Sequence, residues 1–217
     1  MESRVPSLKD LATIIYRPRQ TFRRILDSGR DRWTIELVVL AFICASVTDP
    51  DIRGLLEALP GLPLHAALAL IALALLCLAA MWVVVLYAVA GIATIVGRWL
   101  DGKGTAADVR AALAWGLVPV VWSIVFRIPL AVYHSRLDLR PRDRGQMLFD
   151  FVQQGGLTVF IVFATAQILM YVCILFVASN ALGEALRFSS WKGLATVVIS
   201  IVLPIVLVVG AVIAFQS

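Results

Sequence analysis

Arg17, Arg19, Arg23 and Arg24 stand close together near the start of the chain, and guanidinium is the side chain that grips phosphate through paired N–H donors. Between them Phe22, Ile25 and Leu26 recur at helical spacing until Gly29. A basic rim around an apolar stripe is the pattern of a helix lying in the plane of lipid headgroups. The same stripe also suits a helix docked on the protein's own loops. Anionic headgroups are the partner this arrangement calls for, and Arg17, Arg19, Arg23 and Arg24 are the candidate lipid-surface residues.

A second polar set lies inside apolar sequence. Arg127 is the basic residue embedded in a hydrophobic run, where an unpaired charge is costly and marks a functional candidate. Snorkelling toward the nearby Arg-rich stretch would satisfy it, and so would a lined cavity. Gln167 and Asn180 complete the candidate intramembrane site, although interhelical hydrogen bonds of about 1 kcal/mol each account for such residues as well.

Gly97 to Gly104, read as Gly-Arg-Trp-Leu-Asp-Gly-Lys-Gly, comes one residue short of a phosphate loop, with Thr105 one place late. That loop requires a preceding buried strand, and this stretch follows an apolar helix, so it reads as a turn capped by Thr105 through Thr-Ala-Ala-Asp. There is no HExxH, no GxSxG and no His–carboxylate cluster; His65 and His134 stand far apart, and no residue set carries catalysis. Cys44, Cys77 and Cys173 lie isolated in apolar runs, so neither a disulfide framework nor a metal site is expected, and no cofactor is implied.

The elements that position these residues follow from composition. Hydrophobic residues make up 61% of the chain, charged ones 15%, and mean hydropathy is +0.92, too little polar surface to coat a water-soluble globule. The apolar runs are long and continuous, which selects helices over an alternating barrel. The expected fold is all-α: a polytopic bundle of about five transmembrane helices, near 33–48, 65–96, 109–133, 157–182 and 193–215. Residues 1–32 form an amphipathic basic segment and 33–217 the membrane domain. Within residues 1–32 two short helices break at Arg17-Pro18, the first behind a capping pattern Ser7-Leu8-Lys9-Asp10. The segment lacks the apolar core and cleavage site of a signal peptide.

The span from Trp33 to Thr48 is short for a bilayer, and that from His65 to Val96 is long enough to tilt or project. Pro119 and Pro129 predict two kinks in the third. Residues 51–63 read as a loop or surface helix, 134–156 as a polar stretch with an interfacial helix near Met147 to Val152, and Glu184, Arg187 and Lys192 as a loop between the last two spans. Most Lys and Arg fall in loops on the N-terminal side, which places the N-terminus inside; Arg136, Arg140, Arg142 and Arg144 face the other way. A net charge of +5, with every basic residue but Lys9, Lys103 and Lys192 an Arg, flanks the spans instead of forming one soluble face, which points away from nucleic acid.

Small residues four apart at Ala93/Gly97, Ala112/Gly116 and Gly210/Ala214 allow close helix contacts, within one chain or in a homo-oligomer. Gly102, Thr105, Arg110 and Pro119 are echoed by Gly183, Ser189-Ser190, Lys192 and Pro204. Each set joins a glycine turn to a helix containing proline, as in two pseudo-equivalent hairpins.

The stretch Tyr16-Arg17-Pro18-Arg19-Gln20-Thr21-Phe22 with Ile25, the turn Gly102 to Thr105 leading into Ala114-Trp115-Gly116-Leu117-Val118-Pro119, and the Gly183, Ser190-Trp191-Lys192 turn together resemble the YIP-domain (Ypt/Rab-interacting protein) family, in its short bacterial branch. The resemblance covers most of the chain. It implies a five-helix membrane domain with a cytoplasmic N-terminus, in a bacterial inner membrane. Eukaryotic members carry a longer cytoplasmic N-terminal region and act in vesicle trafficking with small GTPases; residues 1–32 offer no counterpart to it.

The function expected is that of a non-enzymatic integral membrane protein, a membrane-organising or partner-binding scaffold. The alternative is a transport or permeation protein for a small solute, ion or lipid. A scaffold predicts sensitivity to charge reversal at Arg19, Arg23 and Arg24 and tolerance of Arg127→Leu; transport predicts the opposite.

Overall fold

The computed structural model describes residues 8–28, 33–46, 63–136 and 156–216, and among these every regular element is a helix. In chain order they are α1 (Leu8–Tyr16), α2 (Pro18–Ser28), α3 (Thr34–Ser46), α4 (Leu64–Trp99), α5 (Ala106–Gly116), α6 (Val118–Trp122), α7 (Ile124–Arg136), α8 (Gly156–Ala185) and α9 (Ser190–Gln216). Three of them, α4, α8 and α9, are long and apolar enough to cross a membrane alone, and α5 to α7 pass the same test as one broken span. At 13 residues, α3 is about 20 Å long, short of the roughly 30 Å hydrocarbon core. The expected ends of the first span at Asp49-Pro50-Asp51, the loop at 51–62, the arginines 140, 142 and 144, the helix near Met147 and the cap at Ser7 lie outside the described residues.

Chain sense follows from the contacts. The carboxyl ends of α4 and α8 meet at one end of the bundle, here called the turn end. Each finishes in the same motif: Gly102 N–H donates to Gly97 O at 2.8 Å, and Phe188 N–H donates to Gly183 O at 2.9 Å, six-residue closures of a Schellman type. The left-handed residue is Asp101 (φ 69°) in one turn and Arg187 (φ 59°) in the other. The hairpins are therefore equivalent, but Gly183 matches Gly97 and not Gly102. Gly102 is required for space instead: a Cβ there would stand 2.8 Å from Gly97 O.

The two turns also interlock. Lys103 N–H donates to Leu186 O at 3.0 Å, and Lys192 Nζ donates to Leu100 O at 3.0 Å, supplying a cation to carbonyls at the end of α4. Trp99 and Trp191 lie exposed beside them.

α5 is the helix around which the others close. Val109, Ala111, Ala112, Ala114, Trp115 and Gly116 are all buried, and Gly116 lets α8 approach until Ala178 Cβ would be 3.0 Å from an added methyl. Ala93 is buried and Gly97 lies under Leu186, so two of the three small-residue pairs serve internal packing; Gly210 has nothing within 4 Å.

The third span bends by 41° at Ser123, and its helix is also interrupted at Leu117, just ahead of Pro119. Pro129 lies within α7, six residues after that bend, and the helix continues through the proline itself. A proline ring collides with the carbonyl four residues earlier, so the disturbance falls on its N-terminal side. There Ser123 has already opened the helix, its Oγ donating to Val120 O at 2.6 Å. Pro204 sits within α9, which runs on past it.

Candidate functional site

α2 carries three stripes, and each meets a different surface. Phe22 and Ile25 are buried, with Thr21 beside them, in the core that also holds Ile14 of α1, Leu37 of α3, Trp115 and Leu182. Burial of each large apolar side chain contributes about 1.5–3 kcal/mol relative to water, which suffices to hold a short helix to the bundle. The apolar stripe thus faces the protein's own core.

Arg19 and Arg23, one turn apart, form the second stripe and converge on Glu184 at the end of α8. Arg19 Nε donates to Glu184 Oε1 at 2.7 Å, and Arg23 donates to Oε2 from Nη2 at 2.9 Å and from Nε at 3.2 Å. Arg19 Nη2 also reaches Phe188 O at 3.3 Å. Glu184 is 11% exposed, whereas the side chains of Arg19 and Arg23 are 46% and 72% exposed, so the carboxylate is enclosed and the cations stay open on their outer sides. Glu184 belongs to the last turn of α8, and the expected loop begins later, at Leu186.

Arg17, Gln20 and Arg24 follow at helical spacing on the third, outward stripe. α1 and α2 fold into a V: Thr21 Oγ1 donates to Thr13 Oγ1 at 3.3 Å, and Arg24 Nη2 stands 3.8 Å from Asp10 Oδ1 and 3.4 Å from Thr21 Oγ1. The other arm is pinned by Trp122, whose Nε1 donates to Leu11 O at 3.2 Å. The four arginines read as one set in the sequence thus line one cleft but differ in partner, Arg19 and Arg23 engaging Glu184 while Arg24 stands near Asp10 and Thr21.

Arg127 and Gln167 come together in the structure. Arg127 donates from Nη1 to Ala45 O at 2.7 Å, from Nε to Ser123 Oγ at 3.0 Å and from Nη2 to Gln167 Oε1 at 3.4 Å. One guanidinium joins the carboxyl end of α3, the bend before α7 and the middle of α8. A cation at the last carbonyls of a helix also complements its dipole. Asn180 is not part of this cluster. It lies 13 residues further along α8, about 20 Å, where its Nδ2 donates to Phe176 O at 2.8 Å and its Oδ1 accepts from Ser190 Oγ at 2.9 Å.

Thr105 caps α5 in a reciprocal box: Asp108 N–H donates to Thr105 Oγ1 at 3.2 Å and Thr105 N–H to Asp108 Oδ2 at 3.0 Å. Sequence reading missed Glu184 and Trp122. Glu184 had a signal, as an acid near the end of an apolar run in a basic protein. Trp122 had none, since its role depends on how α1 folds back.

No curated protein and no solved structure is significantly similar to the chain. The Yip1 domain model matches residues 12–213, so the match takes in most of α1 and all of α2 along with the bundle. Together with the long apolar helices it makes this an integral membrane protein, and the chain belongs to the Yip1 domain family.

Proposed function

We propose that the protein is a non-enzymatic scaffold that organises a membrane or a partner protein, with the docked α1–α2 pair on the cytoplasmic side of a bacterial inner membrane. The observation carrying this reading is the division of labour on α2. Arg19 and Arg23 hold the pair to Glu184, while Arg17 and Arg24 sit on its outer side, next to a leaflet whose anionic headgroups attract juxtamembrane cations by about 1 kcal/mol each. The excess of basic residues at this end supports the orientation.

The test is the lipid composition retained around protein extracted into polymer-bounded discs. Enrichment of anionic over zwitterionic lipid is expected, falling in Arg17→Glu/Arg24→Glu; equal lipid profiles for both proteins would remove the basis for a lipid-organising role.

Transport is a second reading, favoured by Arg127 and its polar partners within apolar helices. Against it, Arg127 spends its donors on bracing three helices. Solute uptake by proteoliposomes that is lost on Gln167→Leu, with the fold intact, would favour transport.

A further inference from the structure

We propose that the cleft between α1 and α2 is a discrete site for one phosphate-bearing anion, held by the guanidiniums of Arg17 and Arg24, with Gln20 and Tyr16 as additional donors. The cleft has a volume of about 990 Å³, at the upper end of the roughly 300–1,000 Å³ in which proteins hold small molecules. Its wall contains all four arginines, but Glu184 occupies two of them. Arg17 lies on the open wall, and Arg24 is 65% exposed with only long contacts, at 3.8 Å to Asp10 and 3.4 Å to Thr21.

Two guanidiniums about two helical turns apart, with a carboxamide midway and a phenol one residue before the first, line one concavity, and these groups are fork-shaped and single donors. The acids around it set the selectivity. Glu184 is already neutralised by its two arginines, while Asp27 and Asp10 temper the charge. That leaves a site suited to a compact phosphate and poorly suited to a diffuse polyanion.

Location favours a lipid as the carrier of the phosphate. α1 is pinned to Trp122, which is 47% exposed within a span whose next turn carries the largely exposed Val125, so the V adjoins apolar surface that faces outward from the bundle. A soluble phosphate ester would satisfy the same donors. The proposal rests on the reading that α1–α2 faces an anionic leaflet, but it adds saturation at one site, which bulk attraction to a charged surface does not produce.

The full-length protein in a neutral detergent is titrated with short-chain phosphatidic acid, and bound lipid is counted by native mass spectrometry. In parallel, phenylglyoxal modification of each arginine is mapped with and without lipid or inorganic phosphate. The expected result is one lipid bound before any other, an affinity at least tenfold weaker in Arg17→Gln/Arg24→Gln and unchanged in Arg98→Gln, and protection of Arg17 and Arg24 but not of Arg98 in the wild-type protein. Protection by inorganic phosphate equal to that by lipid assigns the site to a soluble anion; protection by lipid alone assigns it to a headgroup. Gradual uptake of several lipids without a first step, or equal protection of Arg98, would overturn the proposal while leaving anionic enrichment in polymer discs intact. The protection pattern is read on the wild-type sequence, so misfolding of a variant cannot obscure it.

Discussion

Glu184 accepts a hydrogen bond from Arg19 at 2.7 Å across 165 residues of sequence, and so joins the first helices of the chain to the carboxyl end of α8. Exchanging Glu184 for Gln keeps the size and removes the charge. Arg19 and Arg23 are more than a third exposed, so solvent screens much of the attraction and the cost is about 1 kcal/mol, nearer an exposed pair than a buried one. Amide exchange in α2 is expected to rise about fivefold in Glu184→Gln with α5 unchanged. Equal exchange in the two proteins would mean that Phe22 and Ile25 alone hold the pair in place.

Arg127 leads to a different expectation from the one its sequence suggests. A scaffold read from sequence tolerates Arg127→Leu, but the geometry gives this side chain three partners on three separate segments. Hydrogen bonds from a charged group contribute about 1.5–3 kcal/mol each where water is scarce, and Leu would leave the Ala45 carbonyl without its donor. Arg127→Leu should lower thermal stability in detergent by about 2 kcal/mol. Arg127→Lys should recover less than half of that, because a single ammonium cannot reproduce the planar fork. A lysine variant as stable as wild type would show that charge alone matters.

The legible parts of this molecule were those written in local sequence. Composition and run length gave an all-helical membrane bundle, and the Thr-Ala-Ala-Asp pattern gave the cap at Thr105. The repeat is visible in outline, but pairing Gly102 with Gly183 shifts its register, since Gly183 stands at the place of Gly97. Asp101 and Arg187 occupy the left-handed turn position, and the glycines are needed where backbones approach. Contacts between distant segments, such as Glu184 with α2 and Trp122 with Leu11, leave no local periodicity to read. The grouping of Asn180 with Arg127 failed for a simpler reason: sharing a helix does not mean sharing a depth.

The caps of the two hairpins should differ in strength. Thr105 and Asp108 exchange hydrogen bonds reciprocally, whereas at the equivalent position Lys192 N–H reaches Ser189 Oγ only at 3.5 Å. Thr105→Ala is expected to cost about 1 kcal/mol and Ser189→Ala no more than a few tenths. Thermal denaturation of both variants in one detergent makes the comparison. A larger loss from Ser189→Ala would mean that the second turn, and not the first, secures the junction.

Close approach between the hairpins gives the most severe substitution. A Cβ on Gly104 would overlap the carbonyl of Ala185, and backbone cannot yield as the end of a flexible side chain can. Lys103 N–H donates to Leu186 O at 3.0 Å directly beside this contact, so separating the chains to admit a methyl also stretches that bond. Overpacking typically costs about 1–3 kcal/mol, and loss of a hydrogen bond in the same place adds to it. Gly210→Ala provides the control, since an added Cβ there meets nothing within 4 Å and alanine favours the helix by about 1 kcal/mol. Gly104→Ala should reduce folded yield and thermal stability while Gly210→Ala leaves both unchanged or improved. If the two behave alike, the interlocked turns are not what fixes α4–α5 against α8–α9, and the surface to which α2 docks would have to be held by the buried face of α5 alone.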